Sequence, residues 1–194
     1  MNASLSRFFI LRVLCILKLF PRWLRLSTLS LLLLFASFLN GNAQPPIDYA
    51  VHANIIYHFT KYIDWPNDRK SGDFVIGVIG NMPLEKELKK ISAYKTAGNR
   101  KIVVERFSAS QSSYDCHILF VGESEKASIE IIAARTSNQA TLLVSELQDG
   151  AQRGASINFL LVSERLKLEI NINNIKHRHL NIANELVRLG TVVK

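Results

Sequence analysis

The chain has 194 residues, with 24 basic and 16 acidic side chains and a formal net charge of +8. Five basic residues and no acidic ones lie in residues 1–43, so the remaining 151 residues carry 19 basic and 16 acidic side chains, a net charge of +3. That part has no basic stripe interleaved with aromatic residues, which excludes the usual composition of a nucleic-acid-binding protein. It is long enough for one domain with a sizeable core.

Residues 1–43 have the three parts of a secretory signal peptide. A basic segment precedes an uncharged apolar run over residues 26–39, and small residues precede a cleavage position after Ala43. A membrane anchor is the alternative interpretation, but a spanning helix needs about 20 apolar residues, and this run has fourteen. We therefore predict a signal peptide at residues 1–43, a linker at 44–47 and a single exported domain at 48–194.

The exported domain is predicted to begin with an amphipathic helix over residues 48–64. Apolar side chains recur there at spacings of three and four, Asp48 is placed to cap the start, and Pro66 disfavours helical geometry at Trp65. The predicted elements that follow are a buried strand at 74–80, a helix from Pro83 through Ile91, a strand at 101–107, a buried strand at 116–122, a helix from Ser124 and a strand at 141–144.

The C-terminal part departs from this alternation. Two strands at 155–162 and 165–172 are separated by two residues, which predicts an antiparallel hairpin. The second strand alternates apolar with charged or polar side chains, which is typical of a strand with one wet face at a sheet edge. A final helix, capped by Asn173 or Asn174, is predicted to run through three apolar positions and to end at Gly190.

Together these elements predict an α/β fold. Strands that alternate with helices form a mostly parallel sheet with right-handed crossovers, and the continuous apolar run at 116–122 is typical of a strand buried on both faces near the middle of the sheet. The predicted architecture has three layers: a mostly parallel central sheet flanked by helices, with a C-terminal antiparallel hairpin and a final helix.

No motif in the sequence predicts an enzyme, a cofactor or a bound metal. The Gly77-x-x-Gly80 turn lacks the third glycine and the downstream acidic residue of a nucleotide-binding loop, so close strand-to-helix packing is the preferred interpretation. The histidine pairs are spaced so that their members diverge, and no cysteine or carboxylate joins them at ligand spacing. We expect these histidines, His52, His58, His177 and His179, to be solvated surface residues.

Three features remain as candidates for contact or redox roles. Cys116 begins a buried strand and is the only cysteine of the exported domain, so it cannot form an intrachain disulfide; buried apolar packing is its first interpretation and a redox or intermolecular role its second. Catalysis by Cys116 with His117 is disfavoured because neighbours in a strand face opposite ways. Trp65 either packs in the core or contacts a partner. The second hairpin strand carries three charged residues, Arg165, Lys167 and Glu169. They either prevent unwanted pairing at the sheet edge or contact a binding partner.

Five segments of the exported domain carry a resemblance to a known family. The most specific are the Phe-x-Lys-Tyr-x-x-Trp-Pro element within Tyr57–Pro66 and the Cys-His-Ile-Leu-Phe strand at Cys116–Phe120. With Phe74–Gly80, Ile157–Phe159 and Leu168–Asn171, in that order and spacing, they resemble the YfiR family of secreted bacterial proteins. The resemblance covers about residues 48–194, which is essentially the whole exported domain.

The resemblance implies a periplasmic regulatory protein that is not an enzyme. Members of the YfiR family restrain an inner-membrane diguanylate cyclase by binding its periplasmic sensor part, which lowers cyclic di-GMP and biofilm formation without binding that nucleotide. The resemblance also implies a homodimer. Disulfides contribute to stability and redox response in that family, but this exported domain has Cys116 alone.

A periplasmic small-ligand-binding module is the alternative function. Open α/β sheets bind ligands at the carboxyl ends of their strands. Here those ends carry Gly80-Asn81 and Gly122-Glu123-Ser124, and the N-terminus of a following helix would hold an anion.

Overall fold

The computed structural model describes residues 47–163 and 165–194, so the predicted signal peptide and residues 44–46 of the linker lie outside the described residues. The helices are α1 Tyr49–Tyr62, α2 Met82–Ser92, α3 Ile129–Thr136, α4 Ile172–His177 and α5 Asn184–Val187, with 3-10 turns at Asn67–Arg69 and Glu123–Ser128. The strands are β1 Ile63–Asp64, β2 Phe74–Ile79, β3 Thr96–Ala97, β4 Arg100–Arg106, β5 Ile118–Val121, β6 Leu142–Ser145, β7 Ile157–Val162, β8 Arg165–Asn171, β9 Asn181–Ile182 and β10 Thr191–Val193.

Eight of the strands form one sheet in the order β10-β8-β7-β6-β5-β2-β4-β3. Neighbours from β4 through β7 pair in parallel, whereas β7 pairs with β8 and β3 pairs with β4 in antiparallel fashion. β1 and β9 form a separate two-stranded ribbon. The predicted fold class, a mostly parallel sheet flanked by helices with a C-terminal hairpin, is confirmed.

The side chains of β5 show why the sheet is covered on both faces. Ile118 and Phe120 pack into a core cluster with α1 and α2, whereas Leu119 and Val121 pack into a second cluster with α3. All four side chains are fully buried. The apolar run that predicted a central strand therefore supplies both cores, because alternate side chains of a strand point to opposite faces.

Helix α1 begins where the sequence predicts and ends slightly early. The Asp48 carboxylate accepts a hydrogen bond from the Ala50 backbone N–H at 2.9 Å, as expected of an N-cap. The helix ends at Tyr62 because Ile63 and Asp64 turn to extended geometry and pair with Ile182 and Asn181.

Two predictions for the C-terminal part are right only in part. The second hairpin strand, β8, is a sheet edge over residues 165–168 only, because β10 pairs with it in parallel at Glu169–Asn171. Helix does follow the hairpin, but as α4, β9 and α5 in succession instead of one helix, and Asn171 rather than Asn173 or Asn174 caps α4. The chain leaves α4 at Arg178, and His179 takes a left-handed backbone conformation with φ of 56° that ends the helical run.

Candidate interaction surface

The end of the β7–β8 hairpin projects beyond the strands beside it. β6 pairs with β7 only at Ile157 and Asn158, so the later residues of β7 have a partner in β8 alone. We call residues 160–163 and 165–167 the hairpin tip. It lies at the carboxyl ends of the parallel strands, and it exposes two large apolar side chains, Leu161 at 49% and Val162 at 41%.

The hairpin tip has two chemically different faces. Directly opposed residues of antiparallel strands point to the same side of the sheet, and the register pairs Leu160 with Lys167 and Val162 with Arg165. Those four side chains therefore form one face, which combines apolar groups with two exposed cations. The wet face predicted for β8 is exposed at Arg165 and Lys167, whereas Asn171 at its far end is buried, and the predicted contact role of these residues stays a prediction.

The opposite face of the hairpin meets α1 across an apolar groove of about 340 Å³. Leu166 lies on this face opposite Leu161, and Leu189 at the far wall is 70% exposed. The groove is lined by Ile55, His58, Phe59, Tyr62, Leu166, Leu168, Leu186 and Leu189.

Glu169, the third predicted contact residue, lies on the same face of β8 as Arg165 and Lys167, but at the base of the hairpin, where it is half-buried. Its carboxylate accepts a hydrogen bond from the Asn158 side chain at 3.0 Å. Asn158 is fully buried, and its amide also accepts from the Ser145 hydroxyl and the Leu147 N–H and donates to the Leu147 carbonyl. Every hydrogen-bonding position of this amide is used, so the network fixes β7 and β8 to the loop that follows β6.

Trp65 lies in the core, at the other end of the sheet from the hairpin tip. It is 5% exposed, its indole N–H donates to the His117 carbonyl at 3.3 Å, and its ring packs edge-on against Phe74. Core packing, one of the two interpretations of Trp65, accounts for this position. With 5% of the residue exposed, the folded protein presents almost none of the ring to a partner.

Cys116 is fully buried on the α3 side of the sheet, and it is the free cysteine of the described residues. Burial raises the pKa of its thiol to about 12, so the group stays protonated and a poor nucleophile at neutral pH. His117 points to the opposite face, where it packs against Phe74 and Trp65. The two neighbours therefore do not meet, as their strand positions predict.

The loops assigned to an anion site hold a carboxylate of the chain itself. The Glu146 carboxylate accepts from the Asn81 side chain at 2.7 Å and from the Glu123 backbone N–H at 3.3 Å. Burial raises the pKa of Glu146. The Ser124 hydroxyl also donates to the Gly80 carbonyl at 2.8 Å. The donors that the alternative function assigns to a ligand are thus already engaged between the ends of β2, β5 and β6.

The histidine expectation is wrong for His52. Its ring is 5% exposed and packs against Phe159 at 4.7 Å between centroids, because it occupies the same face of α1 as Ile56 and Phe59. Burial lowers its pKa. The other three histidines of that group, His58, His177 and His179, are exposed.

Sequence reasoning missed two buried polar residues that organise the C-terminal part. Arg178 is 3% exposed and donates to the carbonyls of Ala133, Gly154 and Asn174. Asn158 sits within an otherwise apolar strand, and a polar residue at such a position is the signal that identifies a buried network. Arg178 has no comparable signal, because it follows a helix end where exposed cations are common.

Within residues 47–163 and 165–194, no group of three or more His, Cys, Asp or Glu side chains is arranged to hold a metal ion. In the same part of the chain, every helix is too short or too polar to cross a bilayer.

The chain belongs to the YfiR/HmsC-like family, whose model matches residues 49–191. This match spans well over half of the chain and includes every helix and strand described above except the last two residues of β10. The family associates the chain with periplasmic regulation of cyclic di-GMP signalling, and it is generally regulatory rather than enzymatic. No curated protein matches the chain.

Proposed function

We propose that this protein is a non-enzymatic periplasmic regulator that binds and restrains the periplasmic part of an inner-membrane signalling protein, a diguanylate cyclase or a similar receptor. Family membership is the observation that carries the proposal. Export by the predicted signal peptide at residues 1–43 would place the domain in the compartment where such a receptor displays its sensor part. The resemblance also leads us to expect a homodimer.

The hairpin tip is the contact surface that we assign to this function. Val162 is a large apolar side chain exposed on the same face as the exposed Arg165 and Lys167, and Leu161 is exposed on the opposite face of the hairpin tip. Apolar anchors bordered by charges are typical of protein–protein interfaces, in which the apolar groups supply affinity and the charges steer association. Trp65 is left out of this surface because it is buried.

The redox role of Cys116 remains a secondary proposal. The Cys116 thiol is shielded from solvent, and it is protonated at neutral pH, whereas the reactive form is the thiolate. It therefore reacts only when the α3 side of the sheet opens. Such a role would make Cys116 a reporter of unfolding instead of a switch in the folded protein.

The test of the regulator proposal measures cyclic di-GMP in cells that lack the gene and in cells that express the chain. Restoring the chain should lower the nucleotide level, and the R165E/K167E double variant should fail to do so. K101E is the matched control, because Lys101 is also an exposed lysine on a strand but lies on β4, away from the hairpin. A nucleotide level that does not respond to the chain would contradict the proposed pathway.

Photocrosslinking in cells tests the assignment of the hairpin tip as the contact surface independently of the effect on cyclic di-GMP. A photoreactive residue at position 165 should capture an inner-membrane signalling protein, and the same residue at position 101 should not. Capture at position 101 alone would refute the hairpin assignment while leaving the regulator proposal intact. The affinity of the purified receptor part should fall at least about tenfold in R165E/K167E, equivalent to about 1.4 kcal/mol of binding free energy.

A further inference from the structure

A polar cluster at the amino ends of the parallel strands holds the segment that carries Trp65. We call residues 65–73 the amino-end loop. Trp65 anchors its start through the hydrogen bond to the His117 carbonyl. Arg69 anchors its middle, because its guanidinium donates to the Asp115 carboxylate at 2.7 Å and to the Cys116 carbonyl at 3.0 Å.

Arg100 from β4 closes the same loop from the other side. Its guanidinium donates to the carbonyls of Arg69, Gly72 and Asp73 at 2.8 to 3.0 Å. It also lies over the Phe74 ring, 5.2 Å from the centroid. The loop is therefore held largely by side chains that reach it from β4 and from the start of β5.

His117 lies at the centre of these contacts, and its bonding requires a neutral ring. The Val75 backbone N–H, which is always a donor, points at the His117 Nδ1 atom at 3.1 Å. Nε2 faces the Arg69 carbonyl at 3.0 Å, which is an acceptor, and an Arg100 guanidinium nitrogen at 2.7 Å, which is always a donor. A neutral ring offers one unprotonated nitrogen to these two donors, and a doubly protonated ring offers none.

A second ring proton would leave both donors without an acceptor. The resulting cation would lie beside two others, since an Arg100 nitrogen is 2.7 Å from Nε2 and Arg69 borders the ring. The facing carboxylates give little compensation: Asp115 is exposed and paired with Arg69, and Asp73 is exposed. The remaining neighbours cannot offset the charge of a protonated ring, because they are neutral: Trp65, Phe74 and, on the far face, the Cys116 thiol.

We propose that His117 is the pin of an acid-sensitive latch: when the ring takes a second proton from solvent, it can no longer accept from Val75 or Arg100 and it repels the Arg100 cation, whose hydrogen bonds hold the amino-end loop, so that the loop is released and Trp65 becomes accessible while the sheet stays folded. The sheet survives because the β2–β5 ladder runs from the Ile76–Ile118 pair onward, beyond the latch. The α3 side of the sheet takes no part in these contacts. This latch is independent of the proposed partner and of the hairpin tip.

The pH range follows from the two states of the ring. Burial lowers the pKa of His117 to about 4 in the latched protein, and the Arg69 and Arg100 cations act in the same direction. A released, solvated histidine has a pKa of about 6.5. Release is therefore disfavoured above about pH 6.5 and increasingly favoured below it. The ratio of released to latched protein rises by roughly 150-fold by about pH 4 and approaches its limit of roughly 300-fold below about pH 3.

Acrylamide quenching of tryptophan fluorescence tests the latch in the full chain. The chain has one other tryptophan, Trp23, and the W65F variant measures its contribution. Quenching of Trp65 should rise as the pH falls from 6.5 to 4, while far-ultraviolet circular dichroism stays constant. A Trp65 signal that stays shielded down to pH 4, or that becomes exposed only together with loss of circular dichroism, would overturn the proposal.

Two variants identify the responsible group. H117N keeps an acceptor for the Val75 N–H but does not titrate, so its Trp65 quenching should not change over this pH range. H58Q removes an exposed histidine of α1 and should behave as the parent does. An unchanged pH response in H117N would assign the effect to another group and refute the role of His117.

Histidine NMR on the parent protein keeps the proposal testable if H117N does not fold. The His117 ring should titrate well below pH 6.5, and hydrogen exchange at the Val75 amide should accelerate beyond its intrinsic pH dependence as Trp65 becomes accessible. A His117 ring with an ordinary pKa in the folded protein would remove the linkage and with it the latch.

Discussion

Replacing Arg178 gives the sharpest test of how the C-terminal part is attached to the α/β core. This side chain is 3% exposed, and its guanidinium donates to the carbonyls of Ala133, Gly154 and Asn174 at 3.1 to 3.3 Å. It thereby ties the C-terminal end of α3 and the loop before β7 to the end of α4. Among the described residues, no carboxylate forms a salt bridge with it.

The expected cost of Arg178→Ala follows from opposing contributions. Burial lowers the pKa of Arg178 to about 10, so the group is charged at neutral pH but is poorly solvated. Each hydrogen bond from a charged donor contributes about 1.5–3 kcal/mol, and the desolvation of the cation, which the substitution removes, offsets part of their sum. We expect a net loss of about 2–4 kcal/mol in the free energy of unfolding.

Urea unfolding at pH 7 measures this loss from the midpoint and the slope. R188A is the matched control, because Arg188 is exposed and follows a helix as Arg178 does, and its effect should be within about 0.5 kcal/mol. R178K should fall between the parent and R178A, because an ammonium cannot reach three carbonyls in the planar geometry of a guanidinium. An R178A protein as stable as R188A would refute this account of the attachment.

Three further predictions concern buried residues. Cys116 should react with a thiol reagent at least about a hundredfold faster in urea than in buffer, since its thiol is buried and protonated; equal rates would show an open core. Gly150→Ala should lower the free energy of unfolding by about 1–3 kcal/mol, because the added methyl would lie 2.5 Å from the Asn158 amide oxygen. Asn158→Asp should lower the free energy of unfolding by about 3 kcal/mol at pH 7, because the Leu147 carbonyl and the Glu169 carboxylate would lose their donor and face a negative charge. Part of this loss should return as the pH falls and the introduced carboxyl is protonated. A loss that does not depend on pH would contradict the charge argument.

The elements that the sequence predicts well are those in which local pattern and tertiary packing agree. α1 has a cap, an apolar face and a proline beyond its end, and the run at Ile118–Val121 is apolar on both sides. The two-residue connection of the hairpin leaves few alternatives to antiparallel pairing, and Ser163 adopts the positive φ of 49° that tight hairpin turns use.

The C-terminal errors have a common cause in long-range contacts. Ile182, Leu186 and Leu189 recur at helical spacing, but β9 pairs with β1 from the start of the domain and interrupts the helix. β10 is only three residues long and acquires its strand geometry by pairing with β8. No local pattern of so few residues distinguishes a strand from a coil.

The candidate surface was partly predictable for the same reasons. A period of two places Arg165 and Lys167 on one face from sequence alone, and the structure adds Leu160 and Val162 through the register of the hairpin. The contact between Asn158 and Glu169 depends on that register as well, so the alternation of charges places Glu169 on this face but does not reveal that Asn158 donates a hydrogen bond to its carboxylate. The burial of His52 was readable from its spacing to Ile56 and Phe59, because positions four and seven residues apart share a helix face.

The projection of the β7–β8 hairpin separates residues that the fold needs for stability from residues that can be substituted without affecting the fold. Its base is tied to the sheet by the fully bonded Asn158, whereas the hairpin tip is supported by its own ladder and borders no strand beyond Asn158 on the β6 side. Exposed tip residues can therefore be exchanged with little effect on folding, usually within about 0.5 kcal/mol. The same scaffold can acquire a new binding partner by changing a few tip residues, with no change in its core.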